Sequence, residues 1–172
     1  FLINGFGTDC MAAYTAASKV DSFAEMPALN LGQAMTNFAA QNYGAKKMDR
    51  VIKGGKSALV MGVGVPVLIS TVICLFPSSF ISIFNRDPGV IQIGNSYLRT
   101  VSVFYFVFAA MQILNGILLG YGKSFVPMLA SIGSLCLMQV PAAIILSRTS
   151  LGYNGIWIAA PVGWFGGLTI RF

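Results

Sequence analysis

The sequence predicts an all-α, polytopic helical membrane protein with about five transmembrane helices, and three observations carry that prediction. Charged residues make up 9% of the 172-residue chain and hydrophobic ones 56%, against roughly 25% and 45–50% in ordinary globular domains. Four runs, 57–85, 100–122, 124–147 and 149–170, hold no charge at all. Each exceeds the ~20 residues a helix needs to cross about 30 Å of hydrocarbon. A soluble chain this short, with four buried helices of that size, would have nothing left to enclose them. The third observation is where the cations sit: Lys46, Lys47, Arg50, Lys53 and Lys56 crowd into eleven positions directly before the first uncharged run.

A net charge of +6 and a pI near 9.5 would suit a nucleic-acid binder. Here the cations lack interleaved aromatic side chains and sit between apolar runs, so no nucleic-acid partner is expected. They read instead as the positive-inside signal of a short cytoplasmic loop, 43–56, where anionic lipid also favours them. If that loop is inside, the runs alternate so that 85–99 and 148–152 lie outside, while 121–124 and the C-terminus lie inside. Seven cations, Lys46, Lys47, Arg50, Lys53, Lys56, Lys123 and Arg171, then face the cytoplasm, and three, Arg86, Arg99 and Arg148, face out.

The expected spans are 10–42, 57–80, 100–121, 124–147 and 152–170. The first is the most polar, with Lys19, Asp21, Glu25, Asn30, Gln33, Thr36, Asn37 and Gln41. As one helix its 33 residues would reach about 50 Å, so it must tilt, bend or project. Pro27 supplies a cause for a bend. Such a helix belongs inside a bundle or along a wet cavity. Before it, FLIN followed by GFGTD reads as the tail of a preceding helix ending in a turn.

Asp21 and Glu25 are spaced i, i+4, so both carboxylates leave one face about a turn apart. Two such groups in a poorly hydrated place resist ionising together, so one proton or sodium ion is readily held there. The competing reading places them near the outer membrane edge, with Lys19 as a partner or in water. Glu25 falls about 24 Å from Gln41 along the helix, in the outer half. Gln33 and Asn37 are substrate-cavity candidates further along it.

The second span carries Pro66 inside and Pro77 near its end. Asp87-Pro88-Gly89 is a turn signal, and VIQIGNSYL after it is either a short interfacial helix or the start of the next span. Within 100–121, Phe104, Tyr105, Phe106 and Phe108 read as lipid-facing or packing residues. Gln112 and Asn115, amides at i, i+3 in an apolar helix, should turn inward to another helix or a substrate. Gly116-x-x-x-Gly120 permits close helix approach. The short turn Tyr121–Ser124 should make its flanking helices antiparallel neighbours. Pro127, Pro141 and Pro161 interrupt the last two spans, as suits helices that bend.

Enzyme chemistry is not expected. The chain has no histidine, the commonest metal ligand and general base. Cys10, Cys74 and Cys136 show no disulfide or zinc spacing. No catalytic residues, metal or cofactor are therefore assigned.

The block GTDCMAAYTAASKVDSFAEMPALNLGQAMTNFAAQNYGAKKMDRV, and above all its end AAQNYGAKKMDRV (39–51), resembles the multidrug and toxic compound extrusion (MATE) transporters. It is similar to the second half of such a protein, around the eighth helix and the loop after it. LGYNGIWIAAPVGWFGG (151–167) resembles the family's last helix pair. The resemblance implies a twelve-helix protein of two six-helix lobes around a central cavity. This chain would be the C-terminal lobe without most of its first helix, with the N-terminal lobe as its partner. It further implies multi-pass placement in the cell membrane and proton- or sodium-coupled antiport of organic, often cationic, compounds by alternating access. The resemblance implies an acid in the first or fourth helix of this lobe in some members and in the N-terminal lobe in others. The fourth, 100–121, has none, so Asp21 and Glu25 rest on physical reasoning alone. Two alternatives stand beside this one. A lipid-linked saccharide flippase would favour a cationic cavity, and Lys19 is the chief cation within a span. A non-transporting membrane scaffold subunit would leave the polar helix without a purpose.

Overall fold

A computed structural model describes residues 2–171, and every regular element among them is helical. A 3-10 turn, Leu2–Phe6, leads through Gly7 (φ 95°) into α1, Thr8–Gly44. At 37 residues, α1 is about 55 Å long, and Pro27 lies within it without ending it. Its buried positions recur at helical spacing and include Ala13, Ala17, Ala24, Ala28, Gly32 and Ala39, four or seven apart. That stripe of small residues lets other helices approach its backbone closely. Lys19, Ser22, Asn30 and Gln33 lie on its exposed sides.

The expected loop 43–56 is far shorter in the structure. α2, Met48–Leu75, starts well before residue 57, so Arg50, Lys53 and Lys56 are helical and only Lys46 and Lys47 occupy the turn. Lys and Arg are good helix formers, and the Gly54-Gly55 pair is held by packing. A Cβ on Gly54 would meet the Phe38 ring of α1, and one on Gly55 would meet Ile117 at 3.2 Å. The turn is closed by Lys47 N–H donating to the Asn42 carbonyl at 2.8 Å, with Lys46 at φ 57°.

After the short α3, Pro77–Ser82, Asp87-Pro88-Gly89 serves as a helix start. The Asp87 carboxylate caps α4, Pro88–Val101, accepting from Gly89 N–H at 2.8 Å, and Pro88 takes the first helical position, where no N–H is needed. A 3-10 segment, Ser102–Phe104, joins α4 to α5, Tyr105–Gly120. Residues 88–120 are thus one rod, and VIQIGNSYL is the start of the span. Next come α6, Phe125–Gly133, a π-helical segment, Ser134–Gln139, and α7, Val140–Ser147. Pro141 lies two residues beyond the π segment, and its missing N–H removes one α-helical hydrogen bond to that segment. The last helix is α8, Tyr153–Arg171.

α1 packs along α5, and α2 packs on both. The turn 121–124 does not make close neighbours of its flanking helices, because α8 lies against α5 on one side and the α6–α7 rod on the other. Glycines make that second contact possible. Ser134 Oγ donates to the Gly163 carbonyl, and Gly166 faces Met138 with no room for a side chain. The larger core joins α1, α4, α5 and α8 around Val20, Leu98, Tyr105 and Trp157.

Among the described residues three rods, Met48–Leu75, Pro88–Gly120 and Phe125–Ser147, are long and apolar enough to cross a membrane. α1 has the length but too many polar side chains, and Gly, Trp and Asn dilute the hydropathy of α8. Large apolar side chains such as Val60, Leu68, Leu137 and Ile145 stand exposed, as lipid-facing helices require.

Candidate functional site

Asp21 sits on the buried stripe of α1 and is 8% exposed, so its carboxylate is enclosed by neighbouring helices. Its two oxygens are taken by two phenols. Tyr97 of α4 donates to Oδ2 and Tyr105 of α5 donates to Oδ1. Both tyrosines are buried and are braced from α8. Trp157 packs edge-on to Tyr97 with ring centroids 4.9 Å apart, and Trp164 lies 6.4 Å from Tyr105. Tyr14 of α1 stacks on Trp157 and meets Tyr97 edge-on, each at 5.8 Å.

Glu25 lies one turn further along α1 and is half-buried. Lys19 does not join the pair. Two positions from Asp21 it points elsewhere, and its ammonium stands 5.3 Å from the centroid of the Phe84 ring.

The amide candidates form a second site. A cleft of about 400 Å³ between α1 and α5 is lined by Asn30, Gln33, Thr36, Gln112 and Asn115 beside Gly32 and Gly116. Asn115 Nδ2 donates to Gln112 Oε1 at 2.9 Å. The glycines set the cleft's floor. A Cβ on Gly32 would lie 2.8 Å from the Gln112 carbonyl oxygen, and one on Gly116 would strike the Gly32 carbonyl. Asn37 does not line this cleft. It is exposed one turn along α1 from Gln33, on the same face, and the lining of the cleft does not extend to it. The cleft begins at Leu29, about 6 Å along α1 from Glu25. A larger cavity of about 650 Å³, between α1, α2 and α3, is lined by apolar residues such as Phe23, Leu68, Ile73 and Phe84. It offers nothing to orient a polar ligand.

Tyr97 and Tyr105 are the partners that sequence reasoning missed. Tyr105 was grouped with its phenylalanine neighbours as packing. In the structure Phe106 is exposed, Phe104 packs on Phe165 of α8, and Tyr105 alone of the group turns to α1. A hydroxyl within an apolar run was the available signal, because a buried phenol needs a partner.

A model of the family described as MatE matches residues 1–145. The chain belongs to the MATE family. It is 29% identical over 167 residues to "Probable multidrug resistance protein YoeA" of Bacillus subtilis, covering 94% of this chain and 35% of that protein. To "Probable multidrug resistance protein NorM" of Thermotoga maritima it is 27% identical over 153 residues, covering 88% and 33%. A point mutant of the Vibrio cholerae MATE transporter VcmN shares its fold with a TM-score of 0.91 at 23% identity, over 98% of this chain and 39% of that one. The block 151–167 lies beyond the family match but within that structural likeness. This MATE chain thus spans about a third of the length of the curated relatives it matches. MATE proteins are multi-pass membrane transporters, not enzymes in the usual sense.

Proposed function

We propose that this chain is the C-terminal lobe of a MATE exporter that expels organic, often cationic, compounds by proton- or sodium-coupled alternating access. Membership of the family carries this reading, and the names of the curated relatives, multidrug resistance proteins, support it. The buried carboxylate of Asp21, with Glu25 one turn away on the most polar helix, is the feature best suited to holding a small cation within a membrane. The cleft bearing Gln33, Gln112 and Asn115 supplies hydrogen-bonding groups to one wall of a substrate cavity, which the N-terminal lobe completes. Asn37, outside that cleft, faces the other lobe or water. Coupling follows if cation and drug compete through the carboxylates, so that each weakens the other's binding by the same factor.

Glu25→Gln tests this in the full-length protein reconstituted into vesicles. It keeps shape and hydrogen bonding but removes the exchangeable charge. Ion-gradient-driven export should be lost while insertion and drug binding persist, and drug affinity should no longer respond to the coupling ion. Asp21→Asn should weaken the same response. Unchanged transport and ion dependence in both variants would place coupling elsewhere in the protein.

A further inference from the structure

The hydrogen bonds around Asp21 are arranged for one charge state. A tyrosine hydroxyl has a single proton to donate, and an ionised carboxylate accepts on both oxygens. Here each oxygen of Asp21 accepts one phenol, from Tyr97 and from Tyr105. A proton arriving on either oxygen turns that oxygen into a donor. The tyrosine facing it must then rotate to accept or lose its bond. A sodium ion acts alike, drawing the phenol lone pairs toward itself and turning the hydroxyl protons away from the carboxylate.

The three residues sit on two different rods. Asp21 belongs to α1, whereas Tyr97 and Tyr105 flank the 3-10 segment of the rod 88–120. Trp157 and Trp164 hold both phenols from behind, so the tyrosines are not free to follow Asp21 if it moves.

We propose that Tyr97 and Tyr105 are a two-hydroxyl latch on the coupling site. With Asp21 ionised and empty, they clamp α1 to the α4–α5 rod. When a cation is taken up at Asp21, the clamp opens and α1 is released to move against that rod. The tyrosines are positioning residues, acting through the carboxylate. The inference rests on the reading of Asp21 and Glu25 as the coupling pair.

The test uses Tyr97→Phe and Tyr105→Phe in the full-length protein in vesicles, with proton and sodium gradients imposed separately. Each variant removes a hydroxyl that competes with the incoming cation. The coupling-ion concentration at half-maximal export should therefore fall by about three- to tenfold, the scale of one buried hydrogen bond. The effect of the ion on drug affinity should shrink with it. In an Asp21→Asn background, the same tyrosine changes should add nothing, as a double-mutant cycle requires for a shared interaction. A second measurement keeps both tyrosines. Spin labels on exposed positions of α1 and α5 should move apart when the coupling ion is added. Wild-type ion dependence in both tyrosine variants, or an unchanged label distance, overturns the latch while leaving the coupling pair intact if Asp21→Asn still alters ion dependence. If neither Asp21→Asn nor Glu25→Gln alters ion dependence, the coupling reading fails and the latch with it.

Discussion

At the scale of single residues, the difference between Asn37 and Gln112 is a difference of place along the helices. Both are amides, and spacing alone gives them equal standing as cavity residues. Packing separates them, since Gln112 lines the α1–α5 cleft and Asn37 does not. Gln112→Ala in the full-length protein should raise the half-saturating concentration of a hydrogen-bonding substrate by about three- to tenfold, the range of one lost hydrogen bond. Asn37→Ala should stay within about twofold, because surface changes away from such contacts matter little. Vesicle export over a substrate series measures both, and equal losses would contradict this difference in cleft lining. The i, i+4 spacing made the carboxylate pair legible, since it depends only on helix geometry. Their tyrosine partners were not legible. Tyr97 and Tyr105 lie 76 and 84 residues from Asp21, and in a rod where nearly every face is apolar, periodicity does not reveal which side meets α1.

At the scale of elements, the uncharged runs located the rods but not their ends. An uncharged run measures how much chain can sit in hydrocarbon, whereas a helix ends where its backbone hydrogen bonds do. Arg50, Lys53 and Lys56 break the first measure and satisfy the second, so α2 extends through them. Asp87-Pro88 is ambiguous for a related reason, because the residues that favour a turn also favour a helix N-terminus. The glycine motif in α5 was legible as a motif, and the structure supplies its partner. Gly116 meets the Gly32 backbone, and a Cβ on Gly120 would lie 2.7 Å from the Thr36 carbonyl oxygen. Gly116→Val should therefore push α5 off α1 and destabilise the protein by about 1–3 kcal/mol, the usual cost of overpacking. Gly64→Ala, on α2 with no atom near its added methyl, should be neutral or slightly stabilising. Thermal unfolding of the two variants in detergent compares them directly. A loss at Gly64 as large as that at Gly116 would show that close packing is not the cause.

At the scale of the whole molecule, length and charge together constrain how the rods sit in a bilayer. The rod 88–120 has 33 residues and α1 has 37, so each exceeds about 30 Å of hydrocarbon by roughly 20 Å or more and must tilt or project. Two short features mark where the ends emerge. The turn at Ala45–Lys47 opens onto Arg50, Lys53 and Lys56, and the segment 83–87 carries Arg86 and the Asp87 cap. They lie at opposite ends of α2 and its short extension α3, so a single crossing by α2 puts them on opposite sides. The cation bias, seven against three on the alternating topology, predicts that the basic turn faces the cytoplasm. The prediction is tested with Ala45→Cys and Arg86→Cys, made singly in full-length protein whose other cysteines are replaced. Removing Arg86 takes a cation from the outer side and so reinforces the expected orientation. In sealed cells an impermeant maleimide should label Arg86→Cys, and Ala45→Cys should react only after the membrane is opened. Labelling of Ala45→Cys in sealed cells, with Arg86→Cys silent, would invert the protein and put Asp21 and Glu25 in the half of the membrane nearer the cytoplasm, where an inward ion gradient would reach them last.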